Sequence, residues 1–494
     1  MAAAAAAAAG GAIGLSRLVE TGDGDASSTR RYGDLLLRRG KAASDAPNVL
    51  MLALDDCNDW LGFLNNHPGT STPNLDALAA QSMVFTHAYT PAPMCLPART
   101  SMLFGRQPFD TGIYDHSDPS RENYRRLAAV TPSLVDDIWA AGYDTIGAGK
   151  IFHDNPASRW TRFRATDHYW SGFLRRDPAA PADSYEEDWL SPYDGKPIGR
   201  GEHFTAAMTD FGPSGKSPDD EPDGEASDWV ERRLRERHDL PLFLALGFYL
   251  PHEPWRVPKK FLDLHPLDGV VVPEFRPEDL DDLSEYARNE IVPKPVRAFE
   301  SLRDSGLWEE SVQAYQAAIS FADDRVGQVL NALADSPLAD ETAIVVWSDH
   351  GYHLGEKMHF HKFTLWERAT RVPLLLHVPG RFDRHAVFDR PVSTIDLGPT
   401  LVELCGAEAH APYAGESLLP LSANPALADA RPPISTWLEG NHAIRRGPWR
   451  YIRYRTGDVE LYDHRSDPNE YVNIAGRAEY ASVEAELAAF LPTI

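Results

Sequence analysis

Asn48-Val-Leu-Met-Leu-Ala-Leu54, followed at once by Asp55-Asp56, is the stretch on which the fold turns. A short, uncharged apolar run of this length suits a strand better than a helix. A strand apolar at successive positions is covered on both faces, which is the situation in a parallel sheet flanked by helices. Leu242–Phe248 (LFLALGF), Ala343–Trp347 (AIVVW) and Leu374–Val378 (LLLHV) repeat the pattern, and Tyr143–Gly147 is a further strand candidate. Between these runs, Thr72-Pro73 and Thr131-Pro132 each read as a helix start, with Thr as N-cap and Pro at the first helical position. Buried strands alternating with amphipathic helices predict an α/β fold: a large, mostly parallel sheet sandwiched by helices.

The flanks read differently. Asp219–Asp228 and Pro277–Glu285 are acidic and turn-rich, as expected of solvated loops. From about Arg431, Trp449–Tyr454 and Val459–Asp463 alternate like exposed antiparallel strands around a Thr456-Gly457-Asp458 turn, and a helix from about Tyr480 closes the chain. The expected division is a catalytic domain over 46–430 and a small C-terminal α+β subdomain with an antiparallel sheet over 431–494. Residues 1–45 open on an alanine run, Ala2–Ala9, and a short apolar patch to Leu15. They read as a low-complexity disordered tail or a weak signal segment, although no basic residue precedes the run.

The chain of 494 residues carries a net charge of -25, which opposes nucleic acid and anionic membranes. An anionic small substrate then requires a local cluster of Lys, Arg, His and metal. No stretch of about 20 apolar residues suggests a membrane span. The three cysteines, Cys57, Cys95 and Cys405, are too few for a disulfide scaffold or a multi-thiolate zinc site. Cys57 and Cys405 read as packing residues. No Asn-x-Ser/Thr sequon occurs.

Ligands gather at the carboxyl ends of strands in open parallel sheets. Here those ends lead to Asp55-Asp56, to Lys150 and His153, to His252, and to Ser348-Asp349-His350. Each alone has an ordinary structural reading; their agreement points to one site. Carboxylate oxygens favour calcium or magnesium over zinc, while the histidine leaves the metal's identity open. His350, His353, His359 and His361 could assemble a zinc site by composition, but their spacing matches no standard zinc motif and no thiolate is near.

Met94-Cys95-Leu96-Pro97-Ala98-Arg99-Thr100 matches the Cys-x-Pro-x-Arg signature of the type I sulfatases, and Ser101-Met102-Leu103 and Gly105-Arg106 extend the match. NVLMLALDD resembles that family's opening strand and metal pair. TPNLDALAAQSMVFTHAY (Thr72 to Tyr89) is similar to the helix before its modified cysteine. GAGKIFH (Gly147 to His153) and SDHGYHLGEKMHFHKFTLWERATRVPLLLHVPG (Ser348 to Gly380) resemble segments of the iduronate-2-sulfatase-like branch. The resemblance runs from Asn48 to about Ala475 and implies the alkaline phosphatase-like fold. It also implies an extracytoplasmic location.

The resemblance further implies that Cys95 is oxidised to formylglycine (3-oxoalanine) by a separate formylglycine-generating enzyme. It implies one metal ion, calcium in preference to magnesium, on Asp55, Asp56, Asp349 and His350, with the modified Cys95 beside it. Hydrated formylglycine is a geminal diol: one hydroxyl attacks sulfur, and deprotonation of the other then expels sulfate. Arg99 and Lys150 would fix the diol, and His153 would take the second proton. His252 would be the acid for the leaving alcohol, and Lys362 would clamp sulfate oxygens. The implied substrate is a sulfated sugar or polysaccharide. The open alternatives are a formylglycine-dependent phosphonate monoester or phosphodiester hydrolase, and a non-catalytic relative that binds sulfated glycans. Tyr352, His353, His359 and His361 are expected to line the pocket. Trp160–Trp189 and Pro254–Glu300 are expected to set specificity.

Overall fold

A computed structural model describes residues 20–21, 28–154, 157–165, 175–176, 189–190, 210–382 and 384–492. The alanine run and most of Trp160–Trp189 lie outside the described residues. Among the described residues the main sheet has nine strands: β1 (Glu20–Thr21), β2 (Asn48–Leu54), β3 (Met83–Phe85), β4 (Asp144–Gly149), β5 (Arg162–Arg164), β6 (Leu242–Gly247), β7 (Thr342–Ser348), β8 (Leu374–His377) and β9 (Ala386–Phe388). Their order across the sheet is β1-β5-β4-β6-β2-β7-β8-β3-β9. The central five, β5 to β7 in that order, are mutually parallel. β8 runs antiparallel to both β7 and β3, so the apolar run at Leu374 is a reversed strand within a mostly parallel sheet.

β2 divides its side chains between two cores. Leu50, Leu52 and Leu54 pack beneath α5 (Trp308–Ala334), with α1 (Pro73–Ala79) and α4 (Pro222–Leu234) on the same face. Val49, Met51 and Ala53 face α2 (Cys95–Phe104), α3 (Leu134–Ala140) and α6 (Leu397–Leu404). Covering both faces explains why every β2 position is buried.

Several boundaries differ from the sequence reading. The Thr131-Pro132 helix starts later: Ser133 is the N-cap of α3, closing a capping box with Asp136, and Pro132 stands before it. Asp219–Asp228 is not a loop. Its acids belong to a 3-10 turn (Pro218–Asp220) and the first turns of α4, where negative charge complements the helix dipole. Pro277–Glu285 is turn-rich as expected.

Order also begins before residue 46. A hairpin pairs Thr29–Tyr32 with Leu35–Arg38, burying Tyr32 and Leu37 against Trp139 and Ala140. Arg30 donates to Asp136 Oδ1 at 2.9 Å, Tyr32 donates to the same oxygen at 2.5 Å, and Arg159 pairs with Oδ2.

The C-terminal sheet has four antiparallel strands: β10 (Ile434–Thr436), β11 (His442–Arg446), β12 (Trp449–Arg453) and β13 (Val459–Asp463). It is not exposed as its alternation suggests. Ile444, Tyr451 and Leu461 are covered by α7 (Ala481–Ala488), while Ala443, Ile452 and Tyr462 pack on Leu365 and Trp366. Among the described residues, no helix is long and apolar enough to cross a membrane.

Candidate active site

Sheet register brings the reactive residues together. Leu54 pairs with Ser348, so Asp55 and Asp349 leave adjacent parallel strands at the same level. Gly247 pairs with Ala53 on one side and Gly149 on the other, which places Lys150 and the loop to His252 beside them. Gly149 has φ +71°, and a Cβ there would lie 2.0 Å from the Gly247 carbonyl oxygen, so no larger residue fits at this strand end.

Cys95 is the first residue of α2, with its side chain 3.2 Å from His350 Nε2, 3.5 Å from Lys362 Nζ and 3.9 Å from Asp56 Oδ1. His350 Nε2 is also 3.3 Å from Asp56 Oδ1 and 3.7 Å from Asp349 Oδ2. Donor atoms of Asp55, Asp56, Cys95 and His350 all fall within 4.8 Å of one another. Asp56 itself adopts φ 60°, and the Tyr315 hydroxyl from α5 donates to its carbonyl at 2.7 Å, holding the turn.

Arg99 ties the strand ends together. Its Nε donates to Asp349 Oδ2 at 2.9 Å. One terminal nitrogen donates to the carbonyls of Lys150 and Ile151 at 2.5 and 3.0 Å, and the other to the Leu54 carbonyl and Asp55 Oδ1 at 3.3 and 3.2 Å. Lys150 pairs with Asp55 Oδ2, and Lys362 donates to both Asp56 oxygens at 2.6 and 2.7 Å. His252 approaches from the opposite loop, its Nε2 3.9 Å from Asp56 Oδ2. His153 sits at the rim: its ring is 4.4 Å from that of His116, whose Nε2 accepts the Leu96 N–H, and its Nδ1 is 3.1 Å from Asp154.

The charges are strongly coupled. Burial would raise Asp55, but Lys150 and Arg99 outweigh it and hold its carboxyl well below the usual range. Burial pushes Asp56 well up despite Lys362, with Glu253 and Asp55 adding to the rise, and pushes Asp349 up to about 6 against Arg99. Burial drives His350 well down, so its imidazole is neutral.

This donor set fits a divalent cation. Three buried carboxylates crowd together, and two of them are hard to ionise without further positive charge. The His350 tautomer fits as well. Its Nδ1 lies 3.0 Å from the Gly351 carbonyl, which can only accept, so Nδ1 carries the proton and Nε2 presents its lone pair to the cluster. The zinc alternative from four histidines is not realised: among the described residues, His350 groups with carboxylates and Cys95, not with other histidines.

The chain matches the family described as Sulfatase over residues 47–407. It belongs to the sulfatase family. Residues 355–493 of this sulfatase also match the family described as N-sulphoglucosamine sulphohydrolase, C-terminal. A relative named Sulfatase from Formosa agariphila is 36% identical over 91% of this chain and 87% of its own length. Mouse iduronate 2-sulfatase is 33% identical over 69% of this chain and 61% of its own length. The solved phosphonate monoester hydrolase SpPMH from Silicibacter pomeroyi shares the fold, with TM-score 0.69 at 21% identity over 90% of this chain and 94% of that one. The enzyme is therefore a sulfatase that hydrolyses sulfate esters.

Three of the residues expected at a pocket wall are packed inward. Tyr352 lies among Tyr315, Trp255 and Phe360. His353 bonds Thr364 at 3.0 Å, and His359 bonds the Lys362 carbonyl at 2.8 Å, so both brace the loop carrying Lys362. The sequence reading missed Tyr315, and also Glu253, whose carboxylate lies 3.0 Å from His361 Nε2. Neither carries a sequence signal beyond its position beside a recognised motif or on a buried helix face.

Proposed function

We propose that this sulfatase removes sulfate from a sulfated carbohydrate, with Cys95 matured to formylglycine beside a calcium ion on Asp55, Asp56, Asp349 and His350. The observation that carries the reading is the placement of Cys95 at a helix start, 3.2 Å from His350 Nε2 and 3.5 Å from Lys362 Nζ. A calcium ion supplies a Lewis acid that offsets charge on the sulfate ester. The hydrated aldehyde supplies a nucleophile that can release the sulfate it has taken up, which a serine hydroxyl cannot.

The protein side chains supply the remainder. Lys150 and Lys362 both bring positive charge to position 95, within the field of the α2 N-terminus. With Arg99 and a divalent cation they would outweigh the carboxylates of Asp55, Asp56 and Asp349, so that this spot is positive within a chain of net charge -25. Arg99 spends its whole fork on the strand ends, so its contribution is to hold Asp55 and Asp349 in place. His252 is the proton donor to the leaving alcohol. Burial pushes it down to about 3 despite Glu253, and an anionic sulfate group arriving nearby favours its protonated form. His153 stands at the rim, where it can exchange a proton between the Cys95 end of α2 and solvent.

Cys95 is 1% exposed, so the converting enzyme must meet this segment before α2 docks. Mass spectrometry of the peptide containing Cys95 tests the maturation: an aldehyde or its hydrate supports it, and a fully alkylatable thiol overturns it. Turnover of 4-nitrophenyl sulfate against phenyl phosphonates tests the ester class, and a panel of sulfated uronic acids and hexosamines tests the carbohydrate. Cys95→Ser is expected to fold and lose turnover.

A further inference from the structure

Glu253 follows His252 directly and is itself buried. Its Oε1 lies 3.0 Å from His361 Nε2, while Oε2 makes no hydrogen bond and faces His252 Nδ1 at 3.6 Å. The carboxylate therefore lies between two loops. One carries His252 and the other carries Lys362, and both end at Asp56.

The hydrogen bonds fix the tautomers. The Lys362 backbone N–H donates to His361 Nδ1 at 2.9 Å, so that nitrogen is bare and Nε2–H donates to Glu253. His252 Nδ1 lies 2.6 Å from the Glu253 carbonyl, which only accepts, so Nδ1 carries the proton and Nε2 faces Asp56. His361 is held at φ 103°, stacked between Tyr352 at 5.1 Å and Phe363 at 4.5 Å, and Phe363 follows at φ 77°. Non-glycine residues stay in this backbone region only where their surroundings over-determine it. Glu253 supplies one of those restraints.

We infer that Glu253 is a positioning residue that, through His361, locks the Lys362 loop to the His252 loop and so sets both side chains about the reacting sulfate group. The inference rests on the sulfatase reading of the site, and it adds two residues which that reading does not use. Glu253 touches neither Cys95 nor the metal ligands through a hydrogen bond; it acts through its two histidine neighbours.

The test uses Glu253→Ala, Glu253→Gln, His361→Ala and the Glu253→Ala/His361→Ala double variant of the matured enzyme, assayed with substituted phenyl sulfates. Glu253→Ala is expected to lower kcat by about 10- to 100-fold, as loss of an imidazole's supporting partner does. KM should move by less than about threefold, because the lost term is alignment during reaction. The loss should grow as the leaving phenol becomes more basic, since His252 is then needed more. Glu253→Gln keeps an oxygen acceptor for His361 Nε2–H and should recover part of the rate. The double variant should be no slower than the worse single one, because the two residues act as one unit.

Nitrogen-15 NMR of histidine-labelled protein gives a readout independent of turnover: His361 is expected as the Nε2–H tautomer, with that signal displaced in Glu253→Ala. Wild-type-like kcat in Glu253→Ala with an unmoved His361 signal overturns the inference. So does a rate loss equal for Ala and Gln and independent of leaving group, which marks a purely structural role. A wild type that carries the aldehyde yet turns over no sulfate ester overturns the functional reading instead, and the NMR comparison still decides the Glu253 link.

Discussion

Replacing Arg99 with lysine is the sharpest perturbation of the site's frame. The arginine makes five donations from one buried guanidinium: two to carboxylates and three to backbone carbonyls. Lysine keeps the charge but offers three N–H groups from a single point, so at least two acceptors lose their partner. A buried acceptor left unsatisfied costs about 1–3 kcal/mol, giving a loss of about 2–6 kcal/mol. That is a large share of a typical stability of about 5–15 kcal/mol. Urea titration followed by tryptophan fluorescence reads it. With a slope of about 3 kcal/mol/M, a loss of about 3 kcal/mol lowers the midpoint by about 1 M at unchanged slope. Arg99→Ala should be worse in chelator, since Asp55 and Asp349 also lose their counter-charge, which adds about 3–5 kcal/mol to the lost hydrogen bonds. Excess calcium should offset the carboxylate part only, because a cation at the carboxylates does not reach the carbonyls of Lys150 and Ile151. A midpoint for the Arg99→Lys variant within about 0.2 M of wild type would refute the account of Arg99 as the tie between strand ends.

Other outcomes follow from the same geometry. Chelation should abolish turnover and lower thermal stability, with calcium at about 100 times its Kd restoring about 2.7 kcal/mol; a melting curve unmoved by chelator and by calcium would sink the metal assignment. Asp223, whose carboxylate accepts the N–H groups of Tyr249 and Leu250, is raised by burial from 3.8 to about 7. A raised carboxyl contributes stability at low pH that is withdrawn as pH rises through its folded value, so between about pH 5 and 8 this group should remove about 2–3 kcal/mol. Asp223→Asn should flatten that slope in urea midpoints, and an identical slope in both proteins would contradict the assignment. Arg30→Ala should loosen the N-terminal hairpin, since Arg30 bonds Asp136 at 2.9 Å and the Arg159 carbonyl at 2.7 Å. Faster limited proteolysis within residues 29–38 is the expected result, and unchanged protection would mean the apolar contacts of Tyr32 and Leu37 suffice.

The legible parts of this molecule were those where one short segment carries its own physics. NVLMLAL reads as a two-face-buried strand because every side chain meets a core, and the acids at its end read as a site because parallel strands deliver their termini to one edge. Cys95 and Arg99 are legible through the resemblance of Cys95 to Arg99 to the Cys-x-Pro-x-Arg signature of the sulfatases. The hairpin at 29–38 was not, because its anchor is a polar contact more than 100 residues away, between Arg30 and Asp136. The acids before and within α4 read as a solvated loop because charges that favour a helix start resemble charges that favour solvent. The five bonds of Arg99 are not legible in its segment, because their acceptors lie at the ends of three strands that meet at one edge only in the folded sheet.

The C-terminal sheet grips the segment around Lys362 from behind. Lys357 reaches Asp279 and the Glu470 carbonyl, Trp366 donates to Glu460 Oε2 at 2.9 Å, and Arg450 bonds the Leu365 carbonyl at 2.8 Å. Glu367 takes its partners from Arg450 and from Glu470 Oε2, which accepts its backbone N–H at 2.8 Å. A truncation near residue 430 would look harmless in a diagram of modules. In the folded enzyme it would strip these buried groups of their counterparts and free the lysine from its mount. Expression libraries and fusion junctions should therefore keep the last sixty or so residues with the catalytic body.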